Sequence, residues 1–185
     1  MVKTPVFTGS CTALVTPFNE HGVDYDRLKK NINHQFENGS NALLVCGTTG
    51  ENATISKNEY EEIIRFTIRE NKNRMKIIVG VGSNNTHTAL INAENAKFAG
   101  ADSILMVTPY YNKSTQKGLI EHFSYVADRV DIPMILYNVP SRTGIGLSPE
   151  SFKVLSQHPN IIGVKEASGD LSLTAAIVSK CGNNL

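Results

Sequence analysis

Residues 133–144 read PMILYNVPSRTG and residues 161–169 read IIGVKEASG; in each, an apolar run of strand length passes straight into a polar, glycine-bearing segment. The same succession occurs upstream, with GTTGE (47–51) after the run 42–46, GVGSNN (80–85) closing the run 76–81, and TPYYN (108–112) after the run 103–107. A further candidate strand covers 11–15. The six candidates, 11–15, 42–46, 76–81, 103–107, 133–137 and 161–165, recur roughly every 30 residues, the length of one βα unit.

Stretches of helical period lie between them. Tyr25, Leu28, Ile32 and Phe36 share one helical face, as do Tyr60, Ile63, Ile64 and Thr67, and then Leu119, Phe123, Val126 and Val130. Ser56 with Glu59 has the spacing of a capping box, and Ser148-Pro149-Glu150 places an N-cap, a first-position proline and a favourable acid in order. Gly39, Gly100 and Gly182 stand where left-handed helix ends are expected. Strands alternating with helices give a parallel sheet covered by helices, either doubly wound or a barrel. A doubly wound sheet concentrates its site at one switch point, whereas here reactive segments follow nearly every strand, which is the barrel pattern. The expected fold is therefore α/β, a TIM (β/α)8 barrel represented by about six βα units. A closed barrel typically takes about 250 residues, so the 185 residues are expected to form one domain, 1–185, that lacks the last two units.

Composition narrows the function. A hydrophobic fraction of 41% and a charged fraction of 19% are those of an ordinary globular chain rather than a disordered one. No apolar run reaches the roughly 20 residues that span a bilayer, and the opening residues 1–9 lack the apolar core of an export leader, so a cytoplasmic protein without a membrane partner is expected. A net charge of +1 with no basic run argues against nucleic acid as a partner and in favour of small-molecule chemistry. Cys11, Cys46 and Cys181 are far apart and odd in number, so reduced, mostly buried thiols are expected. The five histidines are scattered, Gly80-Val-Gly82 does not complete GxGxxG, and neither HExxH nor GxSxG occurs, so no metal, nucleotide or serine nucleophile is assigned.

Two residues carry the chemistry. Period-2 alternation along 161–165 puts Ile161, Gly163 and Lys165 on one face and Ile162 and Val164 on the other. If the bulky pair meets helices, Lys165 points into the barrel, where desolvation lowers its pKa and frees an amine to attack a carbonyl. A lysine at a strand end more often turns to solvent. Tyr137, the last residue of the preceding strand, alters that balance by placing a phenol beside the amine, as proton transfer around an imine requires. Gly47, Thr48 and Thr49 offer backbone N–H groups and hydroxyls to a keto-acid carboxylate, although a Thr-rich turn is the commoner role of such a segment. Tyr110 and Tyr111 add phenols at another strand end. Arg142 has the planar fork to clamp a carboxylate, although loop arginines are usually solvated.

GTTGE, TPYYN, YNVPSRTG and GVKEASG, in that order and spacing, closely resemble the dihydrodipicolinate synthase family, within the N-acetylneuraminate lyase superfamily of class I aldolases. The likeness runs from Phe7 to the end of the chain. It implies that Lys165 forms a Schiff base with pyruvate without any cofactor. It further implies that Thr48, Tyr111 and Tyr137 relay protons, with Tyr111 reaching into a neighbouring subunit, and that Thr49 binds the pyruvate carboxylate with Thr48. Arg142 would receive the carboxylate of L-aspartate-4-semialdehyde, in a condensation of the diaminopimelate and lysine pathway. A homo-oligomer, dimer or tetramer, and a further C-terminal helical region are implied as well. Asn84 and Tyr110 match the family's lysine-effector cleft, but Tyr60 and Thr88 stand where lysine-sensitive members carry His and Glu. Weak or absent lysine inhibition is expected. Two other readings stay open: a sibling pyruvate-dependent aldolase (N-acetylneuraminate or keto-deoxy sugar acid lyase), and an inactive fragment that persists by associating with other chains.

Overall fold

A computed structural model describes residues 3–185; Met1 and Val2, on which the reading of the opening stretch partly rests, lie outside them. The elements in chain order are β1 (Cys11–Ala13), β2 (Phe18–Asn19), β3 (Gly22–Val23), α1 (Tyr25–Glu37), β4 (Ala42–Val45), α2 (Lys57–Asn71), β5 (Lys76–Gly80), α3 (Thr86–Ala99), β6 (Ser103–Val107), α4 (Gln116–Ala127), β7 (Met134–Asn138), α5 (Pro140–Thr143), α6 (Pro149–Leu155), β8 (Ile161–Glu166) and α7 (Leu171–Cys181), followed by a single 3-10 turn. The main sheet has the order β1-β4-β5-β6-β7-β8, and β1–β4, β4–β5, β6–β7 and β7–β8 pair in parallel. Six strands laid side by side in chain order with helices between them are the arrangement of a TIM barrel, carried through six βα units. The small antiparallel hairpin β2–β3 is additional and has no counterpart in the expected elements.

The chain divides into two compact units. One comprises Val6–Gly80 and Asn95–Ser103; the other comprises residues 3–5 together with Val81–Glu94 and Ile104–Leu185.

In the first unit, Leu28 and Ile32 of α1 and Tyr60, Ile63, Ile64 and Thr67 of α2 are buried against strands such as β4, whose four residues are all buried. Phe36 departs from the expected buried face: it is exposed, with the Arg74 guanidinium 4.7 Å above its ring. The capping box at α2 forms in full, with the Ser56 hydroxyl accepting from Glu59 N–H while the Glu59 carboxylate accepts from Ser56 N–H.

In the second unit, Leu119, Phe123, Val126 and Val130 are buried as their spacing predicts. Ser148 caps α6, with Pro149 in its first turn. Gly39 and Gly100 have the positive φ expected past their helices, but Gly182 combines φ 54° with ψ −130° and is not left-handed helical. Cys46 and Cys181 are buried and Cys11 is half-buried. Among the described residues, no helix is long and apolar enough to cross a membrane.

His122 sits inside this second unit on α4. Its Nδ1 lies 2.8 Å from the Thr86 hydroxyl, and its Nε2 has no hydrogen-bond partner among the described residues. Burial pushes the imidazole down to about 4 from 6.5. The native chain thus keeps His122 neutral where the unfolded chain protonates it. Stability is expected to fall as pH drops from about 6.5 to about 4, by about 3 kcal/mol, and to level off below that. Urea denaturation at pH 7 and at pH 4.5 checks this; the difference between the two should shrink in His122→Leu.

Candidate active site

β7 and β8 bring Tyr137 and Lys165 together as register partners. Partners in a parallel pair share a sheet face, so both side chains project on one side, with the Lys165 Nζ 4.6 Å from the centroid of the Tyr137 ring. Tyr137 itself is buried. An ammonium over a phenol face gains about 0.5–1 kcal/mol at an exposed site.

Two corrections apply to the sequence reading here. First, the pairing slips between Met134, opposite Ile161, and Ile135, opposite Gly163, so Ile162 is an extra residue in β8. A bulge of this kind breaks the alternation. Ile161 therefore shares a face with Met134 and is fully buried, while Gly163 and Lys165 share the other face with Ile135 and Tyr137. Second, Lys165 is exposed rather than withdrawn from water. The Tyr137 ring walls one side of the amine. A Cβ on Gly163, which shares a strand face with Lys165, would meet nothing within 4 Å.

The turn after β7 carries Arg142. Val139 and Pro140 begin α5, Gly144 ends it with φ 75°, and the Thr143 hydroxyl donates to the carbonyl of Ile145 at 2.6 Å. The Arg142 side chain is exposed. Tyr111 N–H donates to the Thr143 carbonyl at 3.3 Å, which ties the TPYYN segment to the arginine turn. Tyr111 has φ 74° and is 90% exposed. A bulky residue held in that backbone region is strained by about 1–3 kcal/mol, a cost that collects at functional positions. Tyr110 is half-buried, and the Asn84 carbonyl accepts from Asn112 Nδ2 at 3.1 Å.

In the other unit, the GTTGE turn follows β4. Cys46 enters it with φ 52° and Glu51 leaves it with φ 60°. The buried Thr16 hydroxyl donates to the Gly50 carbonyl at 2.8 Å and fixes the turn from below, while Thr48 and Thr49 are exposed at its tip and Gly47 is buried. Tyr60, which occupies a position of interest for lysine binding, is buried and donates to the Gly80 carbonyl at 3.0 Å; Thr88 is exposed on α3.

Asn138 and Glu166, directly after Tyr137 and Lys165, escaped the sequence reading. The Asn138 Nδ2 donates to Glu166 Oε2 at 2.7 Å, and the asparagine is fully buried. A polar amide at the end of an otherwise apolar strand, matched by an acid at the same place in the next, was the available signal. Among the described residues, no group of three His, Cys, Asp or Glu side chains is placed to hold a metal ion.

A model of the Dihydrodipicolinate synthetase family matches residues 6–185. The 4-hydroxy-tetrahydrodipicolinate synthase of Thermoanaerobacter sp. strain X514 is 49% identical over 97% of this chain. The chain spans about 61% of that relative's length. The crystal structure of dihydrodipicolinate synthase from Aquifex aeolicus is 44% identical and superposes with a TM-score of 0.94 over 97% of this chain and 61% of that one. The chloride-inhibited dihydrodipicolinate synthase from Acinetobacter baumannii, solved in complex with pyruvate, is 42% identical with a TM-score of 0.94 over 96% of this chain and 61% of that one. With a family match across nearly the whole chain, near-half identity to a curated member and the same fold, the chain belongs to the dihydrodipicolinate synthetase family.

Proposed function

We propose that this chain carries the pyruvate-capturing centre of a 4-hydroxy-tetrahydrodipicolinate synthase, which condenses pyruvate with L-aspartate-4-semialdehyde in diaminopimelate and lysine biosynthesis. The observation that carries the reading is the Lys165 amine held 4.6 Å from the Tyr137 ring at the ends of adjacent strands. In its neutral form the amine adds to the keto carbon of pyruvate, and the carbinolamine loses water to give the imine. Loss of a methyl proton gives the enamine, whose carbon attacks the aldehyde. Tyr137, with Thr48 and Tyr111, handles those protons. Thr49 and Thr48, with Gly47 behind them, take the pyruvate carboxylate, and Arg142 takes the carboxylate of the semialdehyde through its planar fork. The pyruvate complex of the Acinetobacter relative supports pyruvate as substrate.

The reading includes a cytoplasmic, cofactor-free homo-oligomer. Tyr111 at 90% exposure, and Leu171 and Val178 exposed one above the other on α7, support subunit contacts. Asn84 and Tyr110 are assigned to an effector cleft whose response to lysine is weak or absent. Tyr60 is buried with its hydroxyl committed to Gly80, and Thr88 supplies no carboxylate to an ammonium.

Borohydride reduction in the presence of pyruvate tests the proposal on the full-length protein. One pyruvate-derived adduct mapping to Lys165 is expected, together with turnover of aspartate semialdehyde in preference to N-acetylmannosamine. No adduct, or an adduct on another lysine, ends the reading.

A further inference from the structure

Behind the two strand tips, on the face opposite Tyr137 and Lys165, lies a four-point clamp. Asn138 Oδ1 accepts from Leu147 N–H at 3.0 Å, and its Nδ2 donates to Glu166 Oε2 at 2.7 Å. Glu166 Oε1 accepts from Ser168 N–H at 2.6 Å. The Asn138 carbonyl accepts from Ala167 N–H at 2.9 Å. Asn138 follows Tyr137 and Glu166 follows Lys165 directly, while Leu147 lies three residues beyond Gly144, which ends the turn that carries Arg142.

The Ala167 bond continues the strand pairing, and the three bonds made by the Asn138 and Glu166 side chains are additional to it. The pairing of β7 with β8 has already slipped by one residue at Ile162, so backbone hydrogen bonds alone leave the register at the tips open to a second slip. A slip of one residue would turn Lys165 to the other face. The amide cannot be satisfied in another way, because a fully buried asparagine that loses these partners leaves polar atoms unpaired at about 1–3 kcal/mol. We propose that Asn138 and Glu166 are positioning residues whose side-chain clamp sets the register of Tyr137 against Lys165 together with the placement of the Arg142 turn. The inference rests on the Schiff-base reading above and deepens it.

The polarity of the clamp supplies the test. Asn138→Asp keeps the acceptor for Leu147 but sets a second carboxylate against Glu166. Glu166→Gln keeps the acceptor for Ser168 but sets a second amide N–H group against Asn138. The double variant restores the bond with its polarity reversed. In folded full-length protein, each single change is expected to slow pyruvate-dependent borohydride trapping at Lys165 at least tenfold and to raise KM for aspartate semialdehyde; the double variant should recover trapping to within about threefold of the parent. A purely structural clamp would instead lower Tm and leave trapping per folded molecule unchanged, which overturns the proposal, as does a double variant that stays slow. If one single change prevents folding, the other and the double decide. Failure of the parent itself to form an adduct is a different outcome, which removes the Schiff-base reading and this inference with it.

Discussion

Lys165→Arg is expected to abolish the borohydride-trapped pyruvate adduct and to reduce condensation turnover on the order of a thousandfold or more, while leaving folding stability within about 0.5 kcal/mol. The argument rests on what arginine keeps. The side chain is exposed at the end of β8 with its charge over the Tyr137 ring, and a guanidinium stacks on an aromatic face at least as well as an ammonium does. Packing, charge and exposure therefore persist. What is lost is a primary amine, whose neutral form adds to a carbonyl, because a guanidinium stays protonated and is no nucleophile toward one. Loss of the adduct at unchanged stability separates chemistry from structure at this position. Tyr137→Phe is the complement: it keeps the wall against which the amine rests and deletes only the hydroxyl, so trapping should slow without vanishing and turnover should fall about 10²- to 10⁴-fold. Adduct formation in Lys165→Arg would show that another lysine captures pyruvate and would end the assignment.

Legibility in the sequence follows the range of the interactions involved. The Ser56–Glu59 capping box, the Ser148-Pro149 start and the buried stripe of α4 were all readable, because partners three or four residues apart decide them. The order of the strands was readable because the polar segments at their ends repeat. Features that depend on a second strand were not readable. The bulge at Ile162 exists only relative to β7, so alternation along 161–165 put Ile161 on the wrong face. The hairpin of β2 and β3 has two residues in each strand, too few to show a period. The pairing of Lys165 with Tyr137 was legible from their equivalent positions, but the exposure of the lysine was not, since alternation along a strand sets the face a side chain takes and not what covers that face. Asn138 and Glu166 were passed over because each is unremarkable alone, and only the register makes them a pair.

The second large effect is expected at Gly80, which as part of an incomplete GxGxxG pattern carries no nucleotide meaning. Gly80→Ala is expected to destabilise the protein by about 3 kcal/mol or more and to displace the GTTGE turn. A Cβ at this position would lie 2.2 Å from the Cys46 carbonyl oxygen, 2.8 Å from its carbonyl carbon and 3.0 Å from the Gly47 Cα. All three are backbone atoms, so no flexible side chain can swing aside. Cys46 already sits at φ 52°, where a non-glycine residue has little room to shift. Moving β5 away instead would break the bond from the buried Tyr60 hydroxyl to the Gly80 carbonyl, leaving both groups unpaired. Either response reaches Gly47, Thr48 and Thr49, the segment proposed to receive a carboxylate. KM for pyruvate should therefore rise along with the loss of stability. Gly163→Ala is the matched control, also in a parallel strand but with nothing within 4 Å of the added methyl group. Its stability should stay within about 1 kcal/mol of the parent, since a compatible Gly→Ala change acts mainly by restricting the unfolded chain. Urea denaturation of the two variants side by side checks the contrast. Equal midpoints would show that the close approach of β5 to Cys46 does not constrain the turn.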